Sequence, residues 1–100
     1  VAKLKATVTR WVDEEFPGFV ELRFAEADGT VVLITEKVPI LTAENWDAST
    51  PLPTPFDLDC EVLRRERDPD GREVAVVELS YTVEDNDGRG RFTVPADQVR

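Results

Sequence analysis

The sequence predicts an all-β domain, a small six-stranded antiparallel, partly open barrel, with a two-sheet β-sandwich as the alternative. Three observations carry this expectation. Apolar residues recur with period two, the repeat of a strand that buries one face. Turn pairs such as Pro17-Gly18, Asp28-Gly29 and Asp70-Gly71 separate the periodic runs. Residues 56–83 fold onto themselves about Asp68-Pro69-Asp70-Gly71 so that apolar residues meet. With Asp68 opposite Gly71, Val62 faces Val77, Cys60 faces Leu79, Leu58 faces Tyr81 and Phe56 faces Val83.

The first strand covers about residues 2–12, where Leu4, Ala6 and Val8 alternate with Lys3, Lys5, Thr7 and Thr9. Lysines of this kind guard sheet edges, so this strand is expected at an edge. Residues 13–18 read as a turn. Val20, Leu22 and Phe24 alternate with Glu21 and Arg23 in the second strand, which ends at Asp28-Gly29. Val31-Val32-Leu33-Ile34 opens a third strand that is apolar on both faces, the pattern of a central or covered strand. Its register with the second strand is open. If Val32 and Ile34 face inward, Glu36 follows them, so a bulge is expected there.

Pro39 closes the third strand. Residues 42–55 form a long connection that holds Trp46 and Pro51, Pro53 and Pro55, with room for one helical turn at Thr42-Ala43-Glu44-Asn45. Alternating prolines favour stiff, extended backbone, and loops of this length usually have a role. The fourth and fifth strands follow, then a loop over residues 84–90, a short sixth strand over residues 91–94, and a final helical turn starting at Pro95-Ala96-Asp97. With no repeat and no linker, residues 1–100 make one domain.

Composition narrows the chemistry. Acids outnumber bases 21 to 12, for a net charge of −9, although Lys3, Lys5 and Arg10 make the first twelve residues basic. Such a surface repels phosphate backbones and anionic lipid, so no nucleic acid and no membrane is expected as a partner; a basic protein suits it. The single cysteine, Cys60, can form no internal disulfide and points inward as an inert thiol. No apolar run approaches the ~20 residues of a membrane span and no signal sequence is visible, so the expected setting is the cytoplasm. Nine arginines against three lysines hint at a GC-rich, bacterial coding source.

The chain has no histidine, which removes the commonest general base and metal ligand. No phosphate loop, dinucleotide fingerprint or heme motif occurs. No enzymatic activity, metal or cofactor is therefore expected. The acidic turns, 66–71 and 85–88, imitate the start of a calcium loop, but the first holds a proline and has Val77 where the terminal glutamate belongs, and the second has Val83 at the first ligand position. Arg64, Arg65, Arg67 and Arg72 gather at the hairpin tip among neutralising acids.

Two groups of residues remain as candidate sites. Asp57, Asp59, Glu61 and Glu78 form a carboxylate row on the outer face, with Glu61 directly opposite Glu78, a repulsive cross-strand pairing. Trp11, Phe16, Phe19 and Trp46 form a candidate aromatic patch or ligand mouth, Trp11 and Phe19 having outward parity. The leading expectation is a non-catalytic protein-interaction module, of the kind a small inhibitor or immunity protein represents, that offers its acidic strand face to a basic partner. The alternative is a small-ligand-binding barrel with an aromatic-lined mouth. A monomer is slightly favoured.

Overall fold

The computed structural model describes residues 1–100. Strands β1 (Ala2–Asp13), β2 (Phe19–Ala25), β3 (Val31–Lys37), β4 (Thr54–Arg67), β5 (Glu73–Leu79) and β6 (Arg91–Pro95) form one antiparallel sheet, in the order β3-β2-β1-β4-β5-β6. The sheet curls into a half-barrel. Its core is a cluster of 17 buried residues, among them Leu4, Val8, Leu22, Ile34, Leu58, Val77, Phe92 and Val94. Where a closed barrel would continue its ladder, this one is sealed by side chains and loops. The Phe24 and Phe92 rings meet edge to face at 5.1 Å. The Ala27 N–H donates to the Thr93 carbonyl at 2.9 Å, and the Asn86 N–H to the Leu33 carbonyl at 3.0 Å. Arg89 forks onto Glu26 at 3.1 and 3.2 Å while lying 4.8 Å above the Phe92 ring.

Strand order corrects two expectations. β1 lies inside the sheet between β2 and β4, so Lys3 and Lys5 guard no edge. The edges are β3 and β6, and β3 is neither central nor covered: Val31 and Leu33 are 49% and 41% exposed. The β2–β3 ladder runs unbroken, with Val32 opposite Phe24, Ile34 opposite Leu22 and Glu36 opposite Val20. No bulge turns Glu36 away. It sits half-buried at the end of the ladder, where its carboxylate accepts the Lys37 N–H at 2.9 Å.

The bulges lie elsewhere. Between β1 and β2, Thr9 and Val12 are extra residues, since Val8 pairs with Leu22, Arg10 with Glu21, Trp11 with Val20 and Asp13 with Phe19. One inserted residue inverts the parity of all that follows it. Trp11 therefore turns to the core side and packs against the core, contrary to its expected outward position. Its ring lies so close to Gly18 that a Cβ there would stand 2.9 Å from Cζ3.

In the β4–β5 hairpin, Val62 pairs with Val77, Glu61 with Glu78 and Cys60 with Leu79, as expected. They do so through two compensating irregularities. The tip is one residue longer, with the Asp68 N–H donating to the Arg72 carbonyl at 2.9 Å, and Leu63 bulges out between Val62 and Arg64 to restore the register. The expected pairs Leu58–Tyr81 and Phe56–Val83 do not form. The ladder ends where the Ser80 N–H meets the Asp59 carbonyl at 3.0 Å, and Tyr81 (φ 61°) and Thr82 (φ 55°) then reverse the chain.

The helical turn is also displaced. It is α1 (Val38–Leu41), directly after β3, with Pro39 in its first turn, where a missing N–H is harmless. The Val38 N–H donates to the Gly18 carbonyl at 3.0 Å, tying α1 to the β1–β2 turn. The sixth strand and the closing 3-10 turn (Ala96–Gln98) fall where the sequence places them. No helix is long and apolar enough to cross a membrane.

Candidate functional site

Because β1 lies beside β4, the basic start of the chain meets the carboxylate row. Lys3 stands opposite Asp59 and Lys5 opposite Asp57. Lys3 Nζ pairs with Asp59 Oδ1, Arg100 pairs with Asp57, and Arg91 Nε contacts Glu78 Oε2 at 2.7 Å. The hydrogen bond from Lys3 holds the Asp59 carboxyl below its ordinary range, and the same bond raises the Lys3 ammonium. Glu61 faces Glu78 as expected but has no ion-pair partner. Three of the four carboxylates are thus neutralised within the fold. The signal for the Lys3–Asp59 pair was present in the sequence, in the basic residues 1–12, once β1 is placed beside β4; Arg91 and Arg100 come from the other end of the chain.

Most other strand and tip acids are matched as well. Glu21 takes Arg10 at 3.1 Å and the Thr9 hydroxyl at 2.8 Å, and the Thr9 bond first, then Arg10, lowers its carboxyl pKa. At the tip, Arg64 pairs with Glu66, Arg67 with Glu73 and Arg72 with Asp68. Of the twelve acids without an ion pair, six lie at the opposite end, and the others are Asp28, Glu61, Glu84, Asp85, Asp87 and Asp97. Antiparallel order brings the β1–β2 turn, α1, the 42–53 connection and the turn after β5 to that same end. Asp13, Glu14, Glu15, Glu36, Glu44 and Asp47 lie there with no base within ion-pairing distance. Lys37 is the base among these segments.

The four expected aromatics take different positions. Trp11 is turned inward, its indole N–H buried without a partner. Phe16 is 95% exposed on the acidic β1–β2 turn. Phe19 opens β2 opposite Asp13 and Lys37. Trp46 packs edge-on against Phe56 at 5.9 Å and donates its indole N–H to Glu44 at 3.0 Å. The concave side of the sheet carries the core cluster.

Hollows lie on the outside. One of about 380 Å³ separates the hairpin tip from the β2–β3 turn and is lined by Glu26, Asp28, Asp68, Asp70 and Arg72. Another, of about 420 Å³, runs beside α1, with Pro39, Ile40, Leu41 and Ala43 on one side and Asp59 and Tyr81 on the other. Tyr81 was not foreseen as a site residue. Ser80-Tyr81-Thr82-Val83 carries no glycine or proline and continues the alternation of a strand, so nothing local marks it as a turn. Cys60 is buried beneath this region as a free thiol, and burial pushes its pKa up. No group of three or more carboxylate or thiol side chains is placed to hold a metal ion.

No protein-family model, curated protein or solved structure matches this chain.

Proposed function

We propose that this chain is a non-catalytic protein-interaction module that docks a basic partner through the carboxylate-rich α1 end of its half-barrel. The observation that carries this reading is the division of charge along the molecule. Ion pairs absorb most carboxylates on the strands and at the tip, while all six of the α1 end stand without a base; the other unpaired acids are dispersed over Asp28, Glu61, the 84–87 loop and Asp97. Unpaired surface charge of one sign steers an oppositely charged protein and orients its encounter, more than it adds raw affinity. The strand row of Asp57, Asp59, Glu61 and Glu78 plays a lesser part, because Lys3, Arg91 and Arg100 already occupy it. We place the module in the bacterial cytoplasm as a monomer, a setting in which the buried free thiol of Cys60 is at home.

A capture experiment from lysate of the source organism tests the reading with three baits, each washed at low and high salt. They are the wild type, an Asp13→Asn/Glu14→Gln/Glu15→Gln variant, and a Glu61→Gln/Glu78→Gln variant. The expected result is a stoichiometric basic protein that leaves with salt, is lost from the turn variant and stays on the strand variant. Equal recovery on the turn variant removes the α1 end as the docking surface, and loss on the strand variant alone transfers that role to the strand row.

A further inference from the structure

We infer that the groove between α1 and Tyr81 is the subsite that takes an arginine side chain of the basic partner, an inference that rests on the docking reading above. The first ground is backbone conformation. Tyr81 and Thr82 both have positive φ, at 61° and 55°, and together form the centre of a tight turn. Turns with two such residues are the province of glycine, asparagine and aspartate, and a β-branched residue there is an outlier. A fold that needed only the reversal would use the Asp-Gly chemistry found at its own hairpin tip. Strained positions of this kind persist where a side chain is wanted for something else. The side chain so displayed is a tyrosine that is 66% exposed.

The second ground is what surrounds it. The groove of about 420 Å³ has an apolar wall made by Pro39, Ile40 and Leu41, with Ile40 43% exposed. Asp59 lines the same groove with its carboxylate already engaged by Lys3 and by the Tyr81 side chain. The free elements of the groove, an aromatic face and an aliphatic wall, match two parts of an arginine side chain. These are a flat guanidinium that stacks on a ring and a methylene stem. Lysine, a compact and strongly hydrated charge, gains less from the ring. The unpaired carboxylates of the neighbouring connections supply the attraction that brings such a side chain to the groove.

Fluorescein-labelled nona-arginine and nona-lysine peptides, titrated at low salt and read by anisotropy, test the inference. Wild type is expected to bind nona-arginine about fivefold more tightly than nona-lysine. Tyr81→Asn, a replacement that suits positive φ, is expected to bind the two peptides equally, while Tyr81→Phe keeps the preference. Ile40→Ser, which trims the wall without touching the turn, should roughly halve the preference and serves if Tyr81→Asn fails to fold. If wild type binds both peptides but shows no preference for arginine, or keeps its preference in both Tyr81→Asn and Ile40→Ser, the groove is overturned and the acidic end stands. If wild type binds neither peptide, both readings fall.

Discussion

The two ends of the half-barrel solve the same problem, reversing a chain between antiparallel strands, and they part at one turn. The β1–β2 turn of the α1 end uses the same chemistry as the tip, with Asp13 accepting the Glu15 N–H at 2.9 Å and Gly18 at φ 83°, but the turn after β5 does not. At the tip end the aspartates and glycines follow turn rules. Asp28 accepts the Thr30 N–H at 2.9 Å, and Asp68 accepts those of Asp70 and Arg72, each at 2.9 Å. Gly29 and Gly71 supply positive φ of 89° and 80° without steric cost. At the α1 end a tyrosine and a threonine adopt the left-handed conformation, and Phe16 stands in solvent among unpaired carboxylates. Each left-handed residue with a side chain costs roughly 1–2 kcal/mol. The contrast teaches that the tip is built for the fold alone, whereas the α1 end gives up stability to keep particular side chains on display.

The largest expected effect compares glycines from the two ends. Gly18 (φ 83°) and Gly29 (φ 89°) share a backbone conformation, but a Cβ on Gly18 would stand 2.9 Å from the Trp11 ring, while one on Gly29 meets nothing within 4 Å. Gly29→Ala should lose about 1 kcal/mol from conformation alone. Gly18→Ala adds overpacking against an inward tryptophan and should lose about 3 kcal/mol. Urea denaturation of both variants gives the difference. Similar losses would mean that Trp11 does not seat on Gly18, and the bulge at Thr9 would lose its main consequence.

A smaller effect, of opposite sign, tests the strain itself. Thr82→Gly removes a β-branched side chain from positive φ and should stabilise the protein by about 1 kcal/mol. At the tip, Gly71→Thr should destabilise it by at least as much. Thermal unfolding followed by circular dichroism reads both. A Thr82→Gly variant that melts lower than wild type would break the comparison, since its turn would then owe nothing to strain.

This contrast also explains how much of the molecule was legible in its sequence. Strand positions, the Asp-Gly turns and the inward set Val62, Cys60, Val77 and Leu79 follow from local rules, and local rules can be read residue by residue. The bulges at Thr9, Val12 and Leu63 leave no compositional trace, yet each inverts the parity beyond it, which is why Trp11 was expected on the outside. The Val62–Val77 register was anticipated only because the longer tip and the Leu63 bulge cancel. Strand order is non-local, so the lysines of β1 read as edge guards when they are partners of the acidic row. The Tyr81-Thr82 turn was hidden because it uses residues that ordinarily avoid its conformation.

The smallest effect distinguishes how each end holds a carboxylate. Asp68 at the tip has a lowered pKa chiefly through the backbone N–H of Arg72, whereas Asp59 beside the groove is lowered chiefly by the Lys3 side chain. A carboxyl with a folded pKa below its unfolded value stabilises the fold above the unfolded value. That contribution is lost as pH falls through the folded one. Both groups therefore stabilise the fold at neutral pH, and their contributions disappear below the ordinary aspartate value of 3.8. Salt separates them, because an exposed ion pair is screened while a backbone hydrogen bond is far less affected. In melting curves between pH 7 and pH 2, Asp68→Asn should flatten the acid decline equally at low and high salt. Asp59→Asn should flatten it at low salt and change little at 1 M. If Asp59→Asn keeps its full effect at high salt, its carboxylate is held by something other than Lys3, and the charge balance drawn for the strand row would need a different base.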